Sequence, residues 1–250
     1  MAQFHMKVAG AVGCVESLFE STPQFFRAYL TQEAADFSVA VQRLDLIFEQ
    51  AELDEEARTD GFRRRQFTDP FLERAAIQRA FAEHLLDRET LLLHGSAVAV
   101  DGEGYLFMAR SGTGKSTHTR LWREAFGDRA VMINDDKPFL RIDGDGVTAF
   151  GSPWSGKHGL DSNIAVPLKG VCILERGMEN AIHAITVAEA LPMLYHQAYH
   201  PLTEAGRERT AAMILKLAQC VPLWRMACTK DPQAAQIAYH AMSKRSRVSK

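Results

Sequence analysis

The stretch A-R-S-G-T-G-K-S-T at residues 109–117 decides how the chain is read. It lies between an apolar run, Tyr105, Leu106, Phe107 and Met108, and an apolar stripe, Leu121, Trp122, Ala125 and Phe126, which Gly127 closes. Such a pattern predicts a strand over 104–108, a loop, and a helix over 116–126. Gly112 and Gly114 let the backbone curl so that several N–H groups converge where the helix dipole has its positive end. That point suits a polyphosphate, and the expected nucleotide-binding residues are Ser111, Gly112, Thr113, Gly114, Lys115, Ser116 and Thr117. Lys115 would reach the β- and γ-phosphates, and the Ser116 hydroxyl would sit on a magnesium ion bridging them. One irregularity is Ala109, which stands where the G-x-x-x-x-G-K-[ST] pattern begins with glycine. Alanine is tolerated there if the backbone keeps a negative φ. A bare G-x-G-K-[ST] arises by chance in roughly one in a hundred chains of this length, so the flanking strand and helix carry the weight.

A second strand, 130–133, ends in Asn134-Asp135-Asp136, about twenty residues after Lys115. A right-handed crossover is expected to bring it beside the loop strand, its carboxylates at the phosphate edge. One carboxylate would hold magnesium while its neighbour accepts the proton of an attacking hydroxyl. The bland alternative is an acidic pair closing a surface turn. The segment G-S-P-W-S-G-K-H-G at 151–159 concentrates glycine, an aromatic, a cation and a histidine after a strand. In it Lys157 is the candidate to stabilise charge on a transferring phosphoryl group and Trp154 to wall an acceptor pocket, with His158 beside them. Arg176, past the predicted strand 170–174, is a second candidate cation. An exposed turn with incidental charge is the competing reading of 151–159. His196 and His200 invite a metal reading, but no acidic or cysteine partner lies at ligand spacing and Pro201 breaks the helix, so no zinc site is expected.

The 250 residues are 46% hydrophobic with a net charge of -2, enough for a substantial core and no global field toward nucleic acid or an anionic membrane. Cys14, Cys172, Cys220 and Cys228 lack C-x-x-C spacing, which argues against structural zinc or a disulfide framework and for a reduced, cytoplasmic setting. The apolar run 8–15 is too short and glycine-broken for an export signal, and no run is long enough to span a membrane.

Residues 1–88 read as a small α+β appendage: strands at 4–12 and 37–48, a polar loop at 52–68 carrying Arg63, Arg64 and Arg65, and a helix from Asp69-Pro70 to about residue 86 with Leu72, Ala76, Ala80 and Phe81 on its apolar face. Residues 89–250 read as the core. Its expected elements are a strand at 91–100 turning through 101–104 into the loop strand, paired strands at 139–142 and 147–150, and the strand 170–174. A helix capped by Thr186 and Glu189 and kinked at Pro192 follows, then a helix at 204–219, a strand at 221–226 and a helix opened by Asp231-Pro232. The basic tail 244–247 reads as a frayed end.

Three segments, L-H-G-S-A-V-A-V at 93–100, the loop 109–117 and the strand end N-D-D, resemble the catalytic domain of bacterial HPr kinase/phosphorylase and its smaller kinase relatives. That domain shares its nucleotide-binding core with ATP-dependent phosphoenolpyruvate carboxykinase. The resemblance covers about residues 90–142 and, more loosely, the rest of the core. It implies an α/β fold with a mixed β-sheet P-loop kinase core, and ATP and Mg2+ as cofactors. It further implies Asp135 as the base on the acceptor hydroxyl, Asp136 with Ser116 as magnesium ligands, Lys115 in catalysis, and His94 as the match to a family histidine at the inner strand end. The chain departs from the bifunctional enzyme in residues 1–88 and in lacking an I-R-G-L-G-type segment. A relative that phosphorylates another hydroxyl fits better, either a serine-type side chain of a peptide or protein or a small hydroxyl metabolite such as free serine. The resemblance also leaves room for a homo-oligomer. Two further readings compete: a nucleotide-responsive sensor with little transfer, and a carboxykinase-like activity, for which no carboxylate-binding arginine set is identifiable.

Overall fold

The computed structural model describes residues 1–59, 61–144 and 146–244. The chain divides into two compact units, Met1–Leu85 and Leu86–Lys250. No helix among the described residues is long and apolar enough to cross a membrane. The basic tail from residue 245 onward lies outside the described residues, as do Asp60 and Asp145.

In the first unit, β1 (Ala2–Val8) and β2 (Ala11–Ser17) form an antiparallel hairpin. After the short α1 (Thr22–Phe25), β3 (Phe37–Ala40) joins parallel to β2. The single strand expected over 4–12 is thus two arms, because Ala9 and Gly10 turn the chain without interrupting its apolar run. The strand expected to run to residue 48 stops at Ala40, and α2 (Arg43–Thr59) occupies much of what read as strand and polar loop. Residues 43–59 hold no glycine or proline, and Gln50–Asp54 and Glu55–Arg58 pair at helical spacing. High polarity there marks an exposed helix rather than a loop. From α3 (Asp69–Leu86), Arg79 reaches Asp45 at 3.1 Å and Glu49 at 2.6 Å, tying it to α2. Its buried face comprises Leu72, Ala76, Ile77, Phe81 and Leu85, while Ala80 is only half-buried. Arg63, Arg64 and Arg65 are exposed between the two helices.

The second unit is a mixed α/β fold. Its elements are β4 (Thr90–Leu92), β5 (Ser96–Val100), β6 (Glu103–Met108), α4 (Lys115–Phe126), β7 (Ala130–Asn134), β8 (Phe139–Asp143), β9 (Gly146–Phe150), β10 (Ala165–Arg176), β11 (Ala181–Ala184), α5 (Val187–Gln197), α6 (Glu204–Cys220), β12 (Leu223–Cys228) and α7 (Gln233–Met242). The sheet runs β4-β8-β9-β10-β6-β5-β7, with β12 also on β10 and β11 on β12. The long β10 joins two halves: its start pairs antiparallel with β9, its end parallel with both β6 and β12. Along β6 the apolar run alternates between faces, as a strand covered on both sides requires. Leu106 and Met108 pack with Leu194 of α5 and Met213 and Leu217 of α6. Tyr105 and Phe107 pack with Leu121 and Trp122 of α4 and Ala234 and Ala238 of α7.

Two expectations need correction. The run 91–100 is not one strand: β4 pairs with β8, whereas β5 pairs with β6 and β7, and the chain breaks between them at Leu93-His94-Gly95. Strand β7 does not lie beside β6, because β5, returning antiparallel from the hairpin, takes that position and β7 pairs outside it. Two antiparallel steps leave β7 parallel to β6, so the carboxyl ends of β6, β7 and β10 still share one sheet edge. Helix α5 carries the expected capping box and runs continuously through Pro192.

Candidate functional site

At that edge, residues 109–114 connect β6 to α4. Gly112 and Gly114 have φ of 73° and 125°, values that side chains rarely adopt, and a Cβ on either would meet only open space. Ala109 is fully buried and keeps out of positive φ, so the irregular alanine fits the strand end. Helix α4 has no side-chain cap. Among the described residues, the N–H groups of Gly112, Gly114, Lys115 and Ser116 donate to no protein acceptor. The loop is therefore a set of free donors at a helix N-terminus, the arrangement that binds anions.

Two cations hold this loop through its carbonyls. Lys115 Nζ donates to Ala109 O at 3.2 Å. Burial pulls its pKa down, and the nearby Asp136 carboxylate acts against that pull. Arg176, at the end of β10, donates from Nη2 to Gly112 O at 2.7 Å. It does so because β10 runs parallel to β6 and ends beside it. Ser111 and Ser116 are exposed, and Thr113 and Thr117 half-buried.

The turn after β7 presents the two carboxylates differently. Asp136 Oδ1 lies 3.1 Å from His94 Nε2. Burial alone would raise the Asp136 pKa, but the His94 bond and the charges of Lys137 and Lys115 bring it below the ordinary carboxylate value. His94 is moved down, chiefly by burial and only partly restored by Asp136. At neutral pH the pair is an ionised carboxylate accepting an N–H from a neutral imidazole. Backbone bonds from His94 N to Gln197 O, 2.7 Å, and from Gly95 N to Asp136 O, 2.9 Å, fix the histidine segment against this turn. Asp135 is buried, and its pKa is raised, first by burial and then by the Asp136 charge, against the Gly156 N–H and His158.

The segment 151–159 folds over these carboxylates. Gly156 N donates to Asp135 Oδ1, and a Cβ at Gly156 would lie 3.3 Å from both Asp135 carboxylate oxygens. His158 is exposed yet close enough to affect Asp135, and Lys157 is exposed at the tip. Trp154 is buried edge-on against Phe139, centroids 6.2 Å apart, so it supports the segment from beneath. No group of three or more His, Cys, Asp or Glu residues that could hold a metal ion exists among the described residues, His196 and His200 included. All four cysteines are free.

The structure thus brings Lys115, Asp135, Asp136, His94 and Arg176 to one edge, with His158 against Asp135. Sequence reading gave no role to Asn134, Ser152 or Gly156. Only the asparagine ahead of a tight acidic turn signals its part, because Asn side chains commonly close such turns.

A free-donor loop at a helix start, with a paired-carboxylate turn at the same edge of a mixed sheet, defines an α/β protein with a candidate phosphate site. The family model for SynChlorMet cassette protein ScmC matches residues 74–231, and the chain belongs to that family. Among solved structures it is similar to the Hpr(Ser) kinase/phosphatase from Coxiella burnetii, at 10% identity and a TM-score of 0.35, over 61% of this chain and 97% of that one. No curated protein matches it.

Proposed function

We propose that this protein is a phosphotransferase that moves the γ-phosphate of ATP to a hydroxyl acceptor, with magnesium as cofactor. One observation carries the reading: the uncapped start of α4, with its unbonded N–H groups, and the turn bearing Asp135 and Asp136 stand at the same sheet edge, at the carboxyl ends of the parallel strands β6 and β7. The free N–H groups of Gly112, Gly114, Lys115 and Ser116 fit a triphosphate. Ser116 Oγ and Asp136, both hard oxygen donors of the kind magnesium takes, would hold the ion together with the nucleotide phosphates. When bound, magnesium neutralises charge on the phosphates.

The chain's own groups do the rest. Lys115 exchanges its carbonyl partner for phosphate oxygens. His94 holds Asp136 ionised and oriented. Asp135, with its raised pKa, accepts the proton of the acceptor hydroxyl as that oxygen attacks the γ-phosphorus and the bond from that phosphorus to the β,γ-bridging oxygen breaks, releasing ADP. Arg176 steadies the loop at Gly112, Lys157 offers cationic charge from the segment above, and His158 lies beside Asp135. The acceptor is a serine-type side chain or a small hydroxyl compound.

Incubation with γ-labelled ATP and magnesium, offering HPr, seryl peptides and free hydroxyl metabolites in parallel, tests this. Label should appear on one acceptor. Tight ATP binding with no labelled product would instead favour a nucleotide sensor.

A further inference from the structure

Asn134, the last residue of β7, is completely buried and uses both ends of its amide. Its Oδ1 accepts from the backbone N–H of Asp136 at 2.7 Å and of Lys137 at 2.6 Å. Its Nδ2 donates to Ser152 O at 2.8 Å, Ser152 Oγ at 3.1 Å and Trp154 O at 3.4 Å. The Ser152 hydroxyl returns to Lys137 O at 2.6 Å, closing the ring. Two N–H groups on one side and three oxygens on the other leave the amide a single orientation.

From this geometry we propose that Asn134 is a positioning residue that sets both carboxylates of the reaction centre, each through a different end of its amide; the proposal rests on the phosphotransferase reading above. The acceptor end closes the turn that aims Asp136 at His94. The donor end pins residues 152–154, two residues short of Gly156, whose N–H holds Asp135. Gly156 packs tightly on both carboxylate residues, so a shift of the 152–156 segment is transmitted to them. No other side chain of this length offers both an acceptor and two donors: aspartate lacks the donors, and serine keeps an acceptor for the turn without reaching Ser152.

The two ends separate by mutation. In Asn134→Ser the turn bond is retained and the segment released; in Asn134→Ala both are lost. In Asn134→Ser the loop 109–117 and the Asp136 turn are both kept, so the ATP KM should stay within about threefold while kcat falls about tenfold; in Asn134→Ala the proposed magnesium ligand Asp136 is released as well, so kcat should fall about a hundredfold and the ATP KM rise with it, the loss expected of misplaced reacting groups. Amide resonances give a readout independent of turnover. The Gly156 signal should move in both variants, the Asp136 and Lys137 signals substantially only in Asn134→Ala. A raised ATP KM at unchanged kcat would overturn the proposal, as would an unmoved Gly156 signal in folded Asn134→Ser. If the wild-type protein transfers no phosphate, the phosphotransferase reading fails, and the amide signals still decide whether Asn134 sets the two carboxylates. If Asn134→Ala does not fold, Asn134→Ser decides alone.

Discussion

Asp135 and Asp136 are chemically identical neighbours whose surroundings give them opposite tendencies, one raised by burial and one lowered by His94, Lys137 and Lys115. Asp135→Asn keeps an acceptor for the Gly156 N–H but cannot take a proton. It should leave ATP affinity near wild type and lower kcat by roughly 10²- to 10⁴-fold; near-normal turnover would remove Asp135 as base. A second residue-scale prediction concerns His118, buried in α4 and accepting the Trp122 indole N–H at 3.1 Å. Burial lowers its pKa to about 4, below the ordinary value, so its contribution is complete above about pH 6.5 and is lost as pH falls toward 4. Between pH 7 and pH 5 the wild-type protein should lose roughly 2 kcal/mol through this group. His118→Leu leaves the Trp122 N–H unpartnered, costing about 1–3 kcal/mol at pH 7, but should flatten the acid limb. Urea unfolding at both pH values checks this, and equally steep losses would contradict it. At this scale spacing singles out Lys115, Ser116 and the acidic pair only as candidates. The His94–Asp136 contact was not legible from it, since it joins positions far apart in the chain.

Among the elements, local signals were reliable where chemistry is local. The T-x-x-E box predicted the start of α5, and Thr186 does accept from Glu189 N. Thr186→Ala should cost about 1 kcal/mol, measurable by denaturant unfolding. Helix α2 was missed because its exposed, charged surface lacks an apolar stripe, and its stability comes from helix-forming residues and side-chain pairs. Gly151, just past β9, shows the opposite limit. A Cβ there would lie 1.8 Å from Ser162 O and 2.8 Å from Ile133 O, both backbone atoms. Gly151→Ala should therefore destabilise by about 3 kcal/mol or more and disturb the 152–156 segment; a variant unchanged in unfolding midpoint would refute that close approach.

For the whole molecule, the candidate site lies within the second unit, so nucleotide should stabilise that unit. At a hundredfold excess of MgATP over Kd the gain is about 2.7 kcal/mol, or roughly 5–10 °C in Tm for a unit of this size. Lys115→Ala should abolish most of the shift; an unaltered shift would remove the loop assignment. The sequence by itself determined the α/β character, the strand-loop-helix around 109–117 and the residue types of the site, because alternation, glycine placement and capping act over a few residues. Only the tertiary structure decided the strand order, with β5 between β6 and β7, the contact of Arg176 with the loop, and the joining of the two carboxylates to the 152–156 segment through Asn134. Those depend on sheet pairing and buried hydrogen bonds between distant positions, where many pairings satisfy the same local pattern and packing selects one.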